Sequence, residues 1–67
     1  MSLIEALKNK GYEKSEIRSI IIDWSRRILA GENPEELLLE EYLESDYVFD
    51  LLDYCLALSE KGLVQQN

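Results

Sequence analysis

Apolar residues recur along this chain at steps of three and four, the period of a helix with one buried side. Four helices account for nearly all of it, at about residues 3–10, 14–30, 34–43 and 46–61, with a tail at 63–67. Helix one carries Leu3, Ile4 and Leu7 on one side. Helix two carries Ile17, Ile20, Ile21, Trp24 and Ile28 as its stripe and turns Arg18, Ser19, Ser25 and Arg26 the other way. Helix three holds Leu37, Leu38, Leu39, Tyr42 and Leu43. Helix four is the most apolar: ten of its sixteen residues are aliphatic, aromatic or Cys, more than the three or four per two turns that one buried face needs.

Local chemistry marks where these helices begin and end. Ser2 with Glu5 three residues later reads as a capping box that satisfies backbone N–H groups of the first turn. Gly11 supplies a left-handed stop. Glu13 is the expected cap of helix two, with Tyr12 before it and Ile17 after it placed to form a hydrophobic staple. In "NPEE", Asn33 caps, Pro34 fits the first helical position, and Glu35 and Glu36 face the positive end of the helix dipole. Ser45 or Asp46 is expected to cap helix four. Gly62 is expected to close it, with Leu63 meeting Leu58, and "VQQN" reads as a frayed tail.

Helix four holds two apolar stripes. Val48, Leu51, Cys55 and Leu58 form one; Phe49, Leu52 and Leu56 form the other. Two stripes imply two partners, the core of the chain and a second surface. The expected core is therefore Leu7 and Tyr12, then Ile17, Ile21, Trp24 and Ile28, then Leu38, and finally Val48, Leu51, Cys55 and Leu58. The expected partner or dimer interface is Tyr42, Tyr47, Phe49, Leu52 and Leu56, where tyrosine suits a contact surface because it buries area and keeps a polar tip.

Length sharpens the case for a partner. A domain of 67 residues buries only about 60% of its unfolded surface, so its core is marginal. With one cysteine and no histidine, neither an internal disulfide nor a Cys/His metal cage can form, and oligomerisation is the remaining support. A homodimer is expected. The lone thiol and a start, "MSLIEALKNKG", without a charged and apolar leader point to a reducing cytoplasm, and no apolar run is long enough for a membrane span.

Charge divides the chain. Residues 1–31 hold six basic and four acidic side chains, whereas residues 32–67 hold ten acidic ones and only Lys61. Glu36 and Glu40, and Asp46, Asp50 and Asp53, recur at helical spacing and are the expected acidic rim of helices three and four. Carboxylate rows alone do not make a metal site: helical di-metal centres pair glutamates with Glu-x-x-His, and there is no histidine. No metal, no cofactor and no catalytic residue is expected, because the serines lack an activating base and burial dulls Cys55. Arg18, Arg26 and Arg27 beside Trp24 form the one cationic and aromatic cluster, but a net charge of -7 opposes a polyanion, so nucleic acid is not the expected partner.

Two short stretches have a familiar look. "LKNKGYEKSEI" resembles the helix, turn and helix junction of ubiquitin-associated domains and RecX-type repeats, and "ILAGENPEELLLEEY" resembles a turn of small helix-turn-helix antitoxins. The matching residues are caps and stops that serve any helical protein, so no family is assigned. The reading is an all-α, four-helix, non-enzymatic interaction module whose apolar strip and acidic rim address a second copy or another, basic, protein. Its alternatives are a small helix-turn-helix DNA-binding regulator or antitoxin, and an acidic inhibitor that imitates nucleic acid.

Overall fold

A computed structural model describes residues 2–64. They form α1 (Leu3–Asn9), α2 (Lys14–Leu29), α3 (Pro34–Glu40) and α4 (Val48–Glu60), with a single 3-10 turn, Ser45–Tyr47, leading into α4. No strand occurs among the described residues, and the fold is all-α.

Seven residues are too few for α1 to hold by itself in water. Ser2 Oγ accepts from the Glu5 N–H at 3.2 Å, and a carboxylate from a distant element adds a second tie: Asp50 of α4 accepts from the Leu3 N–H at 3.0 Å. An anion at the positive end of α1 is favourable, and here it also joins the start of α1 to the first turn of α4. α2 starts at a reciprocal box in which Glu13 takes the cap position and Glu16 accepts from its backbone N–H at 3.0 Å. Asn33 caps α3 by accepting from Glu35 N–H at 2.9 Å.

All four helices end in the same motif. The first residue past the cap turns left-handed, and the two N–H groups that follow the cap bond back to carbonyls of the last turn. Gly11, Gly31 and Gly62 fill three of these positions. Tyr42 fills the fourth, with φ 56°, where a side chain is strained.

Tyr42 also explains why α3 is shorter than its expected span to residue 43. Leu37 and Leu38 face inward, and at 100° per residue a continued helix would aim Leu43 to the opposite side. Breaking at Glu41 lets the Leu43 N–H bond to Leu38 O at 2.9 Å, which brings Leu43 back into the core. The start of α4 differs from expectation too. No side-chain cap from Ser45 or Asp46 forms; the tighter 3-10 turn replaces it and sets Tyr47 and Val48 both against the core. Past Gly62 the chain does not all run outward as a tail. Leu63 N–H bonds to Leu58 O at 2.9 Å and Val64 turns into the core, while the rest of "VQQN" lies outside the described residues.

All four helices contribute to one cluster: Leu3, Ala6 and Leu7 from α1, Ile17, Ile21 and Trp24 from α2, Leu37 and Leu38 from α3, and Leu51 from α4, with Leu43 from the segment that follows α3. Tyr12, Ile28, Val48 and Leu58 pack half-buried around it. The principal packing is α2 on α4, and small buried groups line it. Ser25 is fully buried; its hydroxyl donates to Ile21 O at 2.7 Å, and the buried Cys55 thiol lies 3.8 Å from Ser25 O. The Cα radius of gyration is 11.2 Å, against roughly 11 Å expected for a folded chain of this length. Among the described residues, no helix is long and apolar enough to cross a membrane.

Candidate docking surface

α4 presents its two stripes to different surroundings. Leu51 and Cys55 are buried, with Val48, Tyr54 and Leu58 half-buried on either side. Phe49, Leu52 and Leu56 lie at steps of three and four on the outer side, 76%, 40% and 60% exposed. The same helical geometry puts Asp53 and Glu60, both exposed, along one flank of that outer row. Within α4 itself no residue is Lys or Arg.

Beyond α4, the tyrosines separate. Tyr42, 91% exposed, stands out from the end of α3 with Lys10 Nζ 5.7 Å from its ring centroid. Tyr47 does not belong to the outer row: it packs half-buried against the core, because the 3-10 turn rotates it inward. Leu39, which the spacing did not single out, is exposed on α3.

The acidic residues also divide by their surroundings. Asp50 holds the start of α1, and Glu40 pairs with Arg27. Glu36, Asp46 and Asp53 are exposed, with no ion pair or hydrogen bond to their side chains among the described residues. Arg27 is a hub: its guanidinium meets Glu32 at 2.8 Å, Glu40 at 3.1 Å and Asp23 at 4.0 Å, tying the end of α2 to α3 and the loop between them. Its hydrogen bonds hold the Glu32 carboxyl below the ordinary carboxylate range and raise the guanidinium pKa further. Trp24 is buried, Arg27 is engaged by carboxylates on the side of α2 opposite Arg18, and Arg26 lies two turns along the helix from Arg18, so the three form no single cationic patch.

Two hollows flank α2 on opposite sides. One, about 490 Å³, is acidic and open; Glu16, Asp23 and Glu41 line it with Tyr12 and Trp24. There the Tyr12 hydroxyl donates to Glu41, and this bond, with burial and the nearby negative charge, raises the phenol's pKa. The other, about 340 Å³, is apolar, lies between α1, α2 and α4, and is lined by three cations, Lys8, Lys14 and Arg18, and no carboxylate. The sequence pattern hints at this second hollow only through Lys14 and Arg18 beside Ile17, Ile21 and Ile22; the α1 and α4 walls come from the fold.

Among the described residues, no group of three or more His, Cys, Asp or Glu side chains is arranged to hold a metal ion. No family model matches the chain, and neither a curated protein nor a solved structure shows significant similarity to it.

Proposed function

We propose that this protein is a non-catalytic binding module, acting in the cytoplasm, whose docking strip is the outer row of α4. The observation that carries the reading is that Phe49, Leu52 and Leu56 stand exposed in register on a helix whose opposite side is already buried. Burial of that row supplies affinity, and the carboxylate flank, Asp53 and Glu60 with Asp46 near the start of the helix, selects a target with basic residues around an apolar centre. Tyr42 and Leu39 extend the exposed apolar area from α3.

The same flank sets the terms for a homodimer. An antiparallel, two-fold pairing of α4 with α4 brings the Asp53 and Glu60 flank of one copy against the same flank of its partner, like charge on like charge. Self-association therefore strengthens with salt, and binding to a basic target weakens with it. A helical peptide of alternating leucine and lysine turns, titrated at low and high salt, tests the reading. Wild type binds it and Phe49→Asp does not, although the variant is more negative. Equal or tighter binding by Phe49→Asp would show attraction by charge alone and end the proposal.

A further inference from the structure

The apolar hollow between α1, α2 and α4 is unusual for its electrostatics. The chain carries fourteen carboxylates and seven cations, yet three of those cations, Lys8, Lys14 and Arg18, line one groove that no carboxylate shares. None of the three forms an ion pair among the described residues. Arg27, further along the same helix, shows the opposite arrangement, with three carboxylates within 4.0 Å. Three like charges gathered beside an apolar wall repel one another, and an anion between them relieves that repulsion.

The groove has a direction. Lys8 lies in the last turn of α1 and Lys14 begins α2, so both stand at the corner where the two helices join. Arg18 comes one turn further along α2, level with Ile17, and Ile21 and Ile22 follow on the next turn. Ile4 walls the groove from α1, and Tyr54 and Leu58 wall it from α4. Charge is thus concentrated toward the corner of α1 and α2, and the rest of the lining is apolar side chains with the ring of Tyr54 among them. Its volume, about 340 Å³, lies at the low end of the ~300–1,000 Å³ typical of small-ligand sites and is too little to sink a helix of roughly 10–12 Å diameter.

We propose that this groove binds a single-chain aliphatic carboxylate taken from solution, its headgroup among Lys8, Lys14 and Arg18 and its chain along Ile17, Ile21, Ile22 and Leu58. The site is separate from the outer row of α4 and does not depend on the docking function proposed for that row. An aliphatic chain matches the branched side chains that line the far end, and a carboxylate satisfies cations that the protein's own acids leave without partners.

Dodecanoate, kept below its micelle concentration, is the probe, and methyl NMR of the full chain is the readout. Saturable shifts are expected at Ile4, Ile17, Ile21, Ile22 and Leu58, and the double variant Lys14→Gln, Arg18→Gln, changed only at exposed side chains, should weaken binding by about tenfold or more. Dodecyltrimethylammonium, with the same chain and the opposite charge, should leave the groove methyls unmoved. Shifts confined to the methyls of Leu52 and Leu56 would overturn the proposal by showing adsorption to the exposed row. So would binding unaffected by the double variant, no response up to millimolar dodecanoate, or a response only to vesicles of anionic phospholipid and none to the free carboxylate.

Discussion

The two faces of α4 are almost equally apolar and have opposite fates. On the inner face Leu51 and Cys55 are buried; on the outer face Phe49 and Leu56, larger or equal in size, are mostly exposed. The difference does not come from α4. It comes from what stands opposite: α2 brings Ile17, Ile21 and the small, buried Ser25 to the inner side, while among the described residues no element covers the outer side. In a marginal domain an apolar side chain on each face has a different consequence. The inner row bears on whether the chain folds, and the outer row, left in water, is the one the docking proposal assigns to contact.

The sharpest way to break that contrast is Leu51→Ala. A leucine with no exposed surface, in the cluster to which all four helices contribute, costs about 2–5 kcal/mol when truncated, since transfer energy is lost and a cavity remains. A core this small rarely supplies more than ~3–5 kcal/mol in total. The variant should therefore be largely unfolded at room temperature, seen as loss of helical circular dichroism without denaturant. A urea midpoint close to wild type would mean that the inner face is not the core.

Asp50→Ala comes next, at the border of the two faces. Its carboxylate accepts from the Leu3 N–H, and removing it leaves that N–H unsatisfied at the start of a seven-residue helix. A loss of about 1 kcal/mol is expected, the usual effect of deleting a cap. Amide hydrogen exchange locates the effect: α1 should lose protection ahead of α2. Uniform loss across the chain would mean that Asp50 supports the whole core instead of tethering α1.

How far the sequence showed all this depends on whether the cause was local. Ser2, Gly11, Gly31, Asn33, Pro34 and Gly62 mark helix ends through their own backbone chemistry, so those limits fall within a residue or two of expectation. The end of α3 has no such marker. A tyrosine in left-handed conformation is chosen because Leu43 has to return to the core, and that need exists only once α3 has docked. Val64 is alike: a glycine stop says that the helix ends, and only the packed core says where the chain goes next. The spacing in α4 separates its residues into two rows, but which row turns inward is set by α2. The cationic groove was the least legible feature, because Arg18 reads as a partner of Arg26 and Arg27 until α1 brings Lys8 to its side.

Tyr42→Gly probes the exposed surface from the side of strain. The left-handed conformation costs a residue other than glycine roughly 1–2 kcal/mol. Glycine gives back about 0.4–1 kcal/mol through the freer unfolded chain, and the exposed contact with Lys10 is worth about 0.5 kcal/mol. The variant should therefore gain about 0.3 kcal/mol, read as a small rise in the urea midpoint with an unchanged slope. On the docking reading it also binds the leucine and lysine peptide more weakly, so that stability and affinity move apart. A fall in stability would mean that the tyrosine ring supports the fold.

The smallest effect on folding should come from the outer row itself, and its smallness is the test. Phe49 is the second residue of α4, so Phe49→Asp places a carboxylate in the first turn, where the helix dipole favours it, and removes a ring that is mostly in water. Leu56→Gln replaces an exposed aliphatic side chain with a good helix former. Each should change unfolding free energy by no more than about 0.5 kcal/mol, as surface substitutions do. Measured in the same urea series as Leu51→Ala, the two changes set single substitutions on the outer face of one helix against one on its inner face. Should either destabilise the chain as Leu51→Ala does, the outer row is part of the core and α4 has one surface, not two. If both fold like wild type and neither binds the leucine and lysine peptide, the row is held on the outside for contact, since its removal costs the fold nothing.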